Sequence, residues 1–231
     1  MPAADEPEVR TYQVVCEGSS DFALIEGIIA DAGKRAGREF RANLLQPQMD
    51  ATRGGYEPGG WNNVERWCRR NQGKRLLGML AFASALFIHM DTDIAHEIMQ
   101  DGETFAEGGG VSRRRWCECA LNGWLGWSQT APGVYYVLPT HQIETWLLAT
   151  YPLSSLQTHF TPPEDENFET IRNVESILLK FGFAEDRDKP GRLYKEFAAY
   201  QKKHLPLLLS NASLARRRCG ELDRLFGALE S

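Results

Sequence analysis

The sequence has little of what marks several classes of protein. Its 231 residues include only five cysteines, an odd number, and no window reaches the roughly 18 apolar residues that a membrane span requires. The segment from Met1 to Arg10 is acidic and contains proline, whereas a signal peptide is basic and then apolar. We therefore expect a cytoplasmic protein with reduced thiols, no membrane partner and no disulfide scaffold.

Zinc-binding spacing and an excess of positive charge are also missing. Cys117 and Cys119 are too close together for a zinc site, and no second pair of ligands accompanies them at standard spacing. Thiols packed within a helix are the simpler interpretation. The chain has 26 basic and 31 acidic residues, a net charge of −5, which disfavours a protein that coats nucleic acid through bulk electrostatics. Contact with nucleic acid would need local basic segments or a partner.

What is present is the composition of an ordinary folded protein, with 42% hydrophobic and 25% charged residues. Segments of helical periodicity alternate with four β-rich runs: Thr11–Cys16, Glu39–Leu45, Ala81–Met90 and Val134–Leu138. The third run is apolar throughout, as is typical of a strand covered on both faces in a parallel sheet. This order predicts an α/β fold with a central, mostly parallel sheet flanked by helices, followed by a helical C-terminal extension.

Acidic residues follow three of these strands. Glu17 comes after the first, Asp91 and Asp93 after the third, and Glu144 after the fourth. Open parallel sheets bind ligands at the carboxyl ends of their strands, and carboxylates gathered there repel one another unless a cation neutralises them. Hard oxygen donors without nearby histidine or cysteine favour Mg²⁺ or Mn²⁺. The pattern predicts a divalent-metal site suited to phosphodiester chemistry.

Each of these acids also has a simpler interpretation. Glu17 fits a surface turn, Glu144 a solvent-facing helical position, and Asp91 with Asp93 a helix-capping pair. Because strand side chains alternate, Asp-x-Asp at a strand end is expected to point both carboxylates to one side and Thr92 away from it. The joint placement of Glu17 and Asp-x-Asp at strand ends favours the metal interpretation.

The turn after the first strand holds a further acid, Asp21. The positive end of a helix dipole favours a carboxylate at this position. Ser19 or Ser20 is expected to cap the same helix. From these residues alone, Asp21 is a helix-stabilising carboxylate.

Three segments resemble the motifs of Toprim domains. Val14–Asp21 (VVCEGSSD) is similar to the first motif, a hydrophobic strand ending in Glu-Gly with an Asp a few residues on, and Leu86–Asp93 (LFIHMDTD) resembles the Asp-x-Asp motif. Val137–Ala149 (VLPTHQIETWLLA) resembles a third element of the standalone and OLD-like Toprim nucleases. The resemblance implies a Rossmann-like Toprim domain over residues 11–151, with an insert at roughly 99–130, and a helical extension over 152–231 packed on it.

The resemblance also implies a function, which is Mg²⁺- or Mn²⁺-dependent hydrolysis of the DNA or RNA backbone. The implied metal ligands are Glu17, Asp21, Asp91, Asp93 and Glu144, and Glu17, Asp91 and Asp93 are also the implied catalytic residues. Small members of this branch are commonly encoded with ABC- or SMC-type ATPases in anti-phage defence systems, which implies an ATPase partner. The residues after 151 leave no room for a topoisomerase or primase accessory domain, so an endonuclease is expected.

Basic residues are assigned less directly. Residues 189–195 resemble a basic segment downstream in this branch, so Lys189 is a candidate catalytic residue for stabilising transition-state charge and Arg192 a candidate nucleic-acid contact. A solvated helix start is the alternative. A second candidate nucleic-acid surface lies earlier in the chain, in the predicted insert. It is formed by Arg113, Arg114 and Arg115, with tryptophans nearby. Tryptophans at such spacing also serve as core anchors.

Two other functions are open. The chain could be a catalytically idle Toprim-like module that acts as an assembly or sensor subunit. A phosphatase or a phosphorylatable receiver also uses strand-end aspartates, but Glu17 and the segment around Glu144 fit that scheme poorly. Two histidines, His89 and His141, lie near the motifs, and a histidine within a buried strand is more often a hydrogen-bonded core residue than a ligand.

Overall fold

The computed structural model describes residues 9–50 and 55–231. Residues 1–8, and residues 51–54 of the predicted Toprim-like domain, lie outside the described part. The strands in the described part are β1 (Val9–Val15), β2 (Glu39–Gln46), β3 (Met49–Asp50), β4 (Gly55–Tyr56), β5 (Ala85–His89), β6 (Met99–Gln100), β7 (Glu103–Thr104) and β8 (Val134–Val137). The α-helices are α1 (Ser19–Arg35), α2 (Trp61–Arg70), α3 (Lys74–Leu80), α4 (Arg113–Leu125), α5 (Glu144–Leu148), α6 (Leu153–Leu156), α7 (Val174–Lys180), α8 (Phe197–Ala199), α9 (Leu205–Ser210), α10 (Ala212–Arg218) and α11 (Gly220–Glu230). Short 3₁₀ turns cover Thr92–Glu97 and Phe168–Thr170, and a π-turn covers Tyr200–His204.

The central sheet has four strands in the order β2-β1-β5-β8, and all neighbouring pairs are parallel. Parallel strands need crossover connections, which are usually helical. Helix α1 connects β1 to β2, and α4 lies between β5 and β8. The prediction of an α/β fold with a central parallel sheet flanked by helices is confirmed. The pairs β3-β4 and β6-β7 form two separate, two-stranded antiparallel sheets.

The third strand is shorter than predicted. The apolar run Ala81–Met90 suggested a strand over its whole length, but β5 covers only Ala85–His89. Phe82 is 87% exposed, so the run begins outside the sheet. An apolar run by itself does not say where a buried strand starts. The other three strands of the sheet match the predicted runs to within two residues at each end.

Alternate residues of the sheet enter two separate buried clusters, as the pleat of a strand requires. Val14 and Phe87 face the cluster that contains α1 and the C-terminal helices, whereas Val15 and Ile88 face the cluster that contains α2 and α4. Residues of α11, among them Phe226, belong to the first cluster. The C-terminal helices therefore pack directly on the sheet and share its core.

All five cysteines are free, and four of them are buried. Cys117 belongs to the cluster beneath α4, as expected for a packed thiol. In the described part of the chain, no helix combines the length and apolar character needed to cross a membrane.

Candidate metal centre

Glu17 lies just beyond β1, where the chain turns into α1. Its Oε1 accepts a hydrogen bond of 2.8 Å from the backbone N–H of Asp91, which ties the ends of β1 and β5 together. Its own carbonyl oxygen accepts the N–H of Gly60 at 3.0 Å. A Cβ at Gly59 would lie 2.5 Å from that carbonyl oxygen. Glycine at position 59 is what allows the loop before α2 to approach and hold the Glu17 turn.

Asp21 is buried in the first turn of α1. Its Oδ2 accepts the backbone N–H of Gly18 at 2.8 Å, and its Oδ1 accepts the hydroxyl of Ser20 at 3.2 Å. The prediction that Ser19 or Ser20 caps the helix is wrong, because α1 already begins at Ser19 and Gly18 is the capping residue. The Asp21 carboxylate reaches back to Gly18 and makes the capping contact instead.

His89, the last residue of β5, is fully buried between two carboxylates. Its Nε2 lies 3.3 Å from Oδ1 of Asp91, and its Nδ1 lies 3.8 Å from Oδ2 of Asp21. These are ion-pair distances, and neither ring nitrogen has a hydrogen-bond partner in the described part of the chain. Oδ1 of Asp91 also accepts the N–H of Ile143 at 3.0 Å. The histidine that the sequence favoured as a core residue therefore links two of the predicted metal ligands.

The Asp-x-Asp segment does not continue β5. The strand ends at His89, and Thr92–Glu97 forms a 3₁₀ turn. The alternation of strand side chains therefore does not apply, and the expectation that it directs Asp91 and Asp93 to one side is wrong: they line different clefts. Thr92 is fully buried between them.

Two neighbouring clefts follow from this arrangement. The first, of about 370 Å³, is lined by Glu17, Asp21 and Asp91 together with Lys195, and we call it the acidic cleft. It lies where β1 and β5 end, the edge at which parallel sheets bind ligands. The second, of about 580 Å³, is lined by Asp93 together with Arg113, Arg172, Arg192 and other residues, and we call it the arginine cleft.

Glu144 is fully buried as the first residue of α5 and is not solvent-facing. Its Oε1 accepts the hydroxyl of Tyr200 at 2.8 Å and lies 2.9 Å from Nζ of Lys195. The same ammonium lies 3.1 Å from Oε1 of Glu175. Oε2 of Glu144 is buried without a hydrogen-bond partner in the described part of the chain. Glu144 thus has a cationic partner and lies behind the acidic cleft.

Sequence reasoning selected Lys189 and Arg192 from the basic segment, whereas the structure brings Lys195 to the carboxylates. Lys189 is exposed and lines neither cleft. Arg192 lines the arginine cleft, and its NH1 lies 3.6 Å from Oε1 of Glu175. Lys195 keeps 32% of its side chain exposed, so it can serve both Glu144 and the open cleft. Its position at the end of the resembling segment was the one available signal.

The electrostatics separate Glu144 from the acids of the acidic cleft. Burial raises the pKa of Asp91 to about 7. Burial, and then the neighbouring charges of Asp91 and Asp21, raise the pKa of Glu17 well above its ordinary value. Burial likewise raises the pKa of Asp21. Burial acts in the same direction on Glu144, but the charge of Lys195 and the hydrogen bonds from Lys195 and Tyr200 together outweigh burial and lower its pKa. Glu17, Asp21 and Asp91 therefore lack the full cationic compensation that Glu144 has.

The donor chemistry of the acidic cleft fits a hard divalent cation, because its acids are oxygen donors whose mutual repulsion a cation would relieve. Within the described residues, however, no three acids, histidines or cysteines are gathered closely enough to hold an ion as they stand. Glu17 and Asp91 are instead occupied by backbone N–H groups. Metal binding would require these carboxylates to turn towards the ion.

The three predicted arginines of α4 have different surroundings. Arg113 lines the arginine cleft, and its NH1 donates to two backbone carbonyls of the 3₁₀ turn at 3.1 and 3.4 Å. Arg114 donates to Glu221 at 2.6 Å on the α11 side, and Arg115 is 61% exposed. Trp124 is buried and serves as a core anchor. Of these three arginines, Arg113 is the one that faces the candidate site.

Comparison with known proteins gives no match for the chain, whether with family models, curated proteins or solved structures.

Proposed function

We propose that the chain is an Mg²⁺- or Mn²⁺-dependent endonuclease that hydrolyses DNA or RNA at the acidic cleft. The observation that carries the proposal is that Glu17 and Asp91, just beyond the ends of two neighbouring parallel strands, and Asp21, in the first turn of α1, line one cleft with raised pKa values. Acids held in this way destabilise one another unless a cation is present. The resemblance of their segments to Toprim motifs supports the same chemistry.

In this proposal Glu17 and Asp91 hold the metal, Asp21 lies beside it in the acidic cleft, and Asp93 contributes its charge from the arginine cleft. A bound divalent cation polarises a phosphoryl oxygen and acidifies an attacking water. Lys195 supplies a fixed positive charge at the wall of the cleft. Burial alone would lower the pKa of Lys195, but the combined negative charges of Glu144, Asp91, Asp21 and Glu175 outweigh burial and raise it, so the ammonium stays protonated. It can therefore stabilise negative charge that develops on the phosphate.

We also propose that an ATPase partner, of the ABC or SMC type implied by the resemblance, brings nucleic acid to the cleft. The net charge of −5 gives the chain little long-range attraction for a polyanion. A partner that holds the nucleic acid would supply that attraction and would keep cleavage conditional.

One observation favours a second candidate, a catalytically idle assembly module. Glu17 and Asp91 each accept a backbone hydrogen bond from the next element, and Glu144 is already neutralised. In this second candidate function, these contacts only join the ends of β1 and β5 to the start of α5. In that case the acids would be structural, and metal would not bind them.

The experiment that separates the two is a cleavage assay with Mn²⁺ or Mg²⁺ on single-stranded DNA, duplex DNA and RNA, with and without the partner ATPase. Asp91→Asn is the test variant, and Glu103→Gln, on the exposed strand β7, is the matched control. Metal-dependent cleavage that is lost in Asp91→Asn alone supports the endonuclease. Failure of the wild-type protein to cut under any of these conditions, or normal cutting by Asp91→Asn, contradicts it.

A further inference from the structure

An exposed carboxylate bridges two arginines at the rim of the arginine cleft. Oε1 of Glu107 accepts from Nε of Arg113 at 2.9 Å and lies 2.7 Å from NH2 of the same guanidinium. Oε2 of Glu107 accepts from NH2 of Arg172 at 2.5 Å. Two guanidinium groups from different parts of the chain therefore converge on one anion. A phosphate group satisfies the same donors in the same way, because the arginine fork binds carboxylate and phosphate alike.

Arg113 is held in place independently of Glu107. Its NH1 donates to the carbonyl oxygens of Thr92 and Asp93. Its guanidinium lies over the ring of Phe105, 5.2 Å from the centroid, and only 16% of the side chain is exposed. The anion-facing edge of Arg113 is thus preorganised, and removal of Glu107 would leave a formed donor site.

The charges that line the arginine cleft also favour an anion-binding site. Three arginines line it, against the carboxylates of Asp93 and Glu175. Glu107, at the rim, adds the third negative charge and cancels the excess. Asp93, which lines this cleft, is two residues from Asp91 in the acidic cleft, and its charge also raises the pKa of Glu17. An anionic chain in the arginine cleft would therefore lead towards the proposed cleavage site.

Glu107 lies in the segment 106–112, which makes little buried contact with the rest of the protein. All residues from 106 to 112 are exposed. Gly108 and Gly110, just after Glu107, have φ values of +80° and +86°, which favour glycine. If this segment moved away, little buried apolar surface would become exposed to water. The free energy of local opening is therefore small. The carboxylate can be exchanged for another anion.

We propose that Arg113 and Arg172 form a binding site for a backbone phosphate of the nucleic acid, and that Glu107 occupies this site as an internal substitute until nucleic acid displaces it. The proposal rests on the proposed nuclease function for the identity of the ligand. The contact makes Glu107 an autoinhibitory residue: it competes with nucleic acid and takes no part in hydrolysis.

The test measures binding without cleavage. Affinity for a fluorescent 12-nucleotide single strand, DNA or RNA, is determined in EDTA for the wild-type full chain, Glu107→Gln and Glu103→Gln. Both substitutions remove one exposed negative charge from the same insert, so they differ only in contact with the arginines. We expect Glu107→Gln to raise affinity about five-fold and Glu103→Gln less than two-fold, as close charge contacts outweigh remote ones. Adding Arg172→Gln to Glu107→Gln should remove the gain and lower the salt slope by about 1.

Pyrophosphate competition separates the two kinds of anion. If Glu107→Gln tightens binding of pyrophosphate but not of the oligonucleotide, the assignment to a nucleic-acid backbone is overturned. If both Gln variants behave alike, or if Glu107→Gln only lowers the melting temperature, Glu107 is a structural ion pair and the whole proposal fails. The proposed nuclease function can fail separately. If Glu107→Gln binds nucleic acid more tightly but no variant shows metal-dependent cleavage, the phosphate site is supported and the nuclease function is rejected.

Discussion

The acidic cleft and the arginine cleft lie side by side but are built in opposite ways. Glu17, Asp21 and Asp91 are fixed by backbone hydrogen bonds at strand and helix ends. Arg113 and Arg172 are joined by Glu107 on an exposed loop, a contact that can be exchanged. The difference indicates a division of work: the sheet fixes the groups proposed for chemistry, and a surface loop controls the groups proposed for substrate binding.

The largest effect should come from the acids of the acidic cleft. Glu17→Gln and Asp91→Asn should each reduce metal-dependent cleavage by about 10³-fold, because a divalent cation contributes several kcal/mol to stabilising the transition state. Single-turnover cleavage rates measure this. Glu107→Gln, in the other cleft, should retain full single-turnover cleavage at saturating nucleic acid. Equal losses in both clefts would remove the distinction between them.

Lys195 is expected to have the next largest effect. Lys195→Met leaves Glu144 buried without its cation and should lower the free energy of unfolding by about 3 kcal/mol. Lys189→Met, on the exposed turn, should change it by less than about 0.5 kcal/mol. Urea denaturation measures both.

A second substitution checks the cause of that loss. Glu144→Gln in the Lys195→Met background should restore part of the stability, because it removes the unpaired charge. If Lys195→Met and Lys189→Met lower the free energy of unfolding by similar amounts, the pairing of Lys195 with Glu144 does not contribute to stability as proposed.

The pH dependence of stability should identify the uncompensated acids. The pKa of Asp91 is about 7 in the folded chain, against an ordinary value of 3.8. The folded state therefore holds a proton that the unfolded state has lost, and stability falls as pH rises from about 4 to about 7. We expect Asp91 to contribute a loss of about 1.4 kcal/mol for each pH unit within this window.

Chemical denaturation at several pH values measures this loss. Asp91→Asn should flatten the profile, and 10 mM Mg²⁺ should stabilise the wild-type protein more at pH 8 than at pH 5, where protonated acids do not bind metal. A wild-type profile that Asp91→Asn leaves unchanged would contradict the assignment of the raised pKa.

The smallest effects are expected on α4. Arg113→Gln loses bonds to two backbone carbonyls and should cost about 1 kcal/mol of stability. Arg115→Gln removes an exposed pair with Glu118 and should cost less than about 0.5 kcal/mol. Thermal unfolding compares the two. A larger loss for Arg115→Gln would mean that the arginines of α4 have been assigned to the wrong faces.

The sheet could be predicted from sequence because strand and helix periods are local properties. The runs that became β1, β2 and β8 carried clear boundaries, whereas β5 was overestimated because Phe82 is apolar yet exposed. The acids after the strands were identified for the same reason, since parallel strands bring their carboxyl ends to one edge.

The remaining features depend on contacts between distant parts of the chain. Lys195, just before α8, pairs with Glu144 on α5, and Glu107 in the predicted insert pairs with Arg172. Neither pairing leaves a periodic signal. The separation of Asp91 from Asp93 follows from the end of β5 at His89, which an apolar run does not reveal. His89 was placed correctly in the strand, but its position between two acids requires the packing of α1 on the sheet.

The central claim is that the acidic cleft binds a divalent cation, and isothermal titration of the full chain with Mn²⁺ tests it most directly. We expect saturable binding by the wild-type protein and by Glu103→Gln, and its loss in Glu17→Gln. Absence of binding by the wild-type protein at millimolar Mn²⁺, or binding that Glu17→Gln leaves unchanged, would contradict the claim.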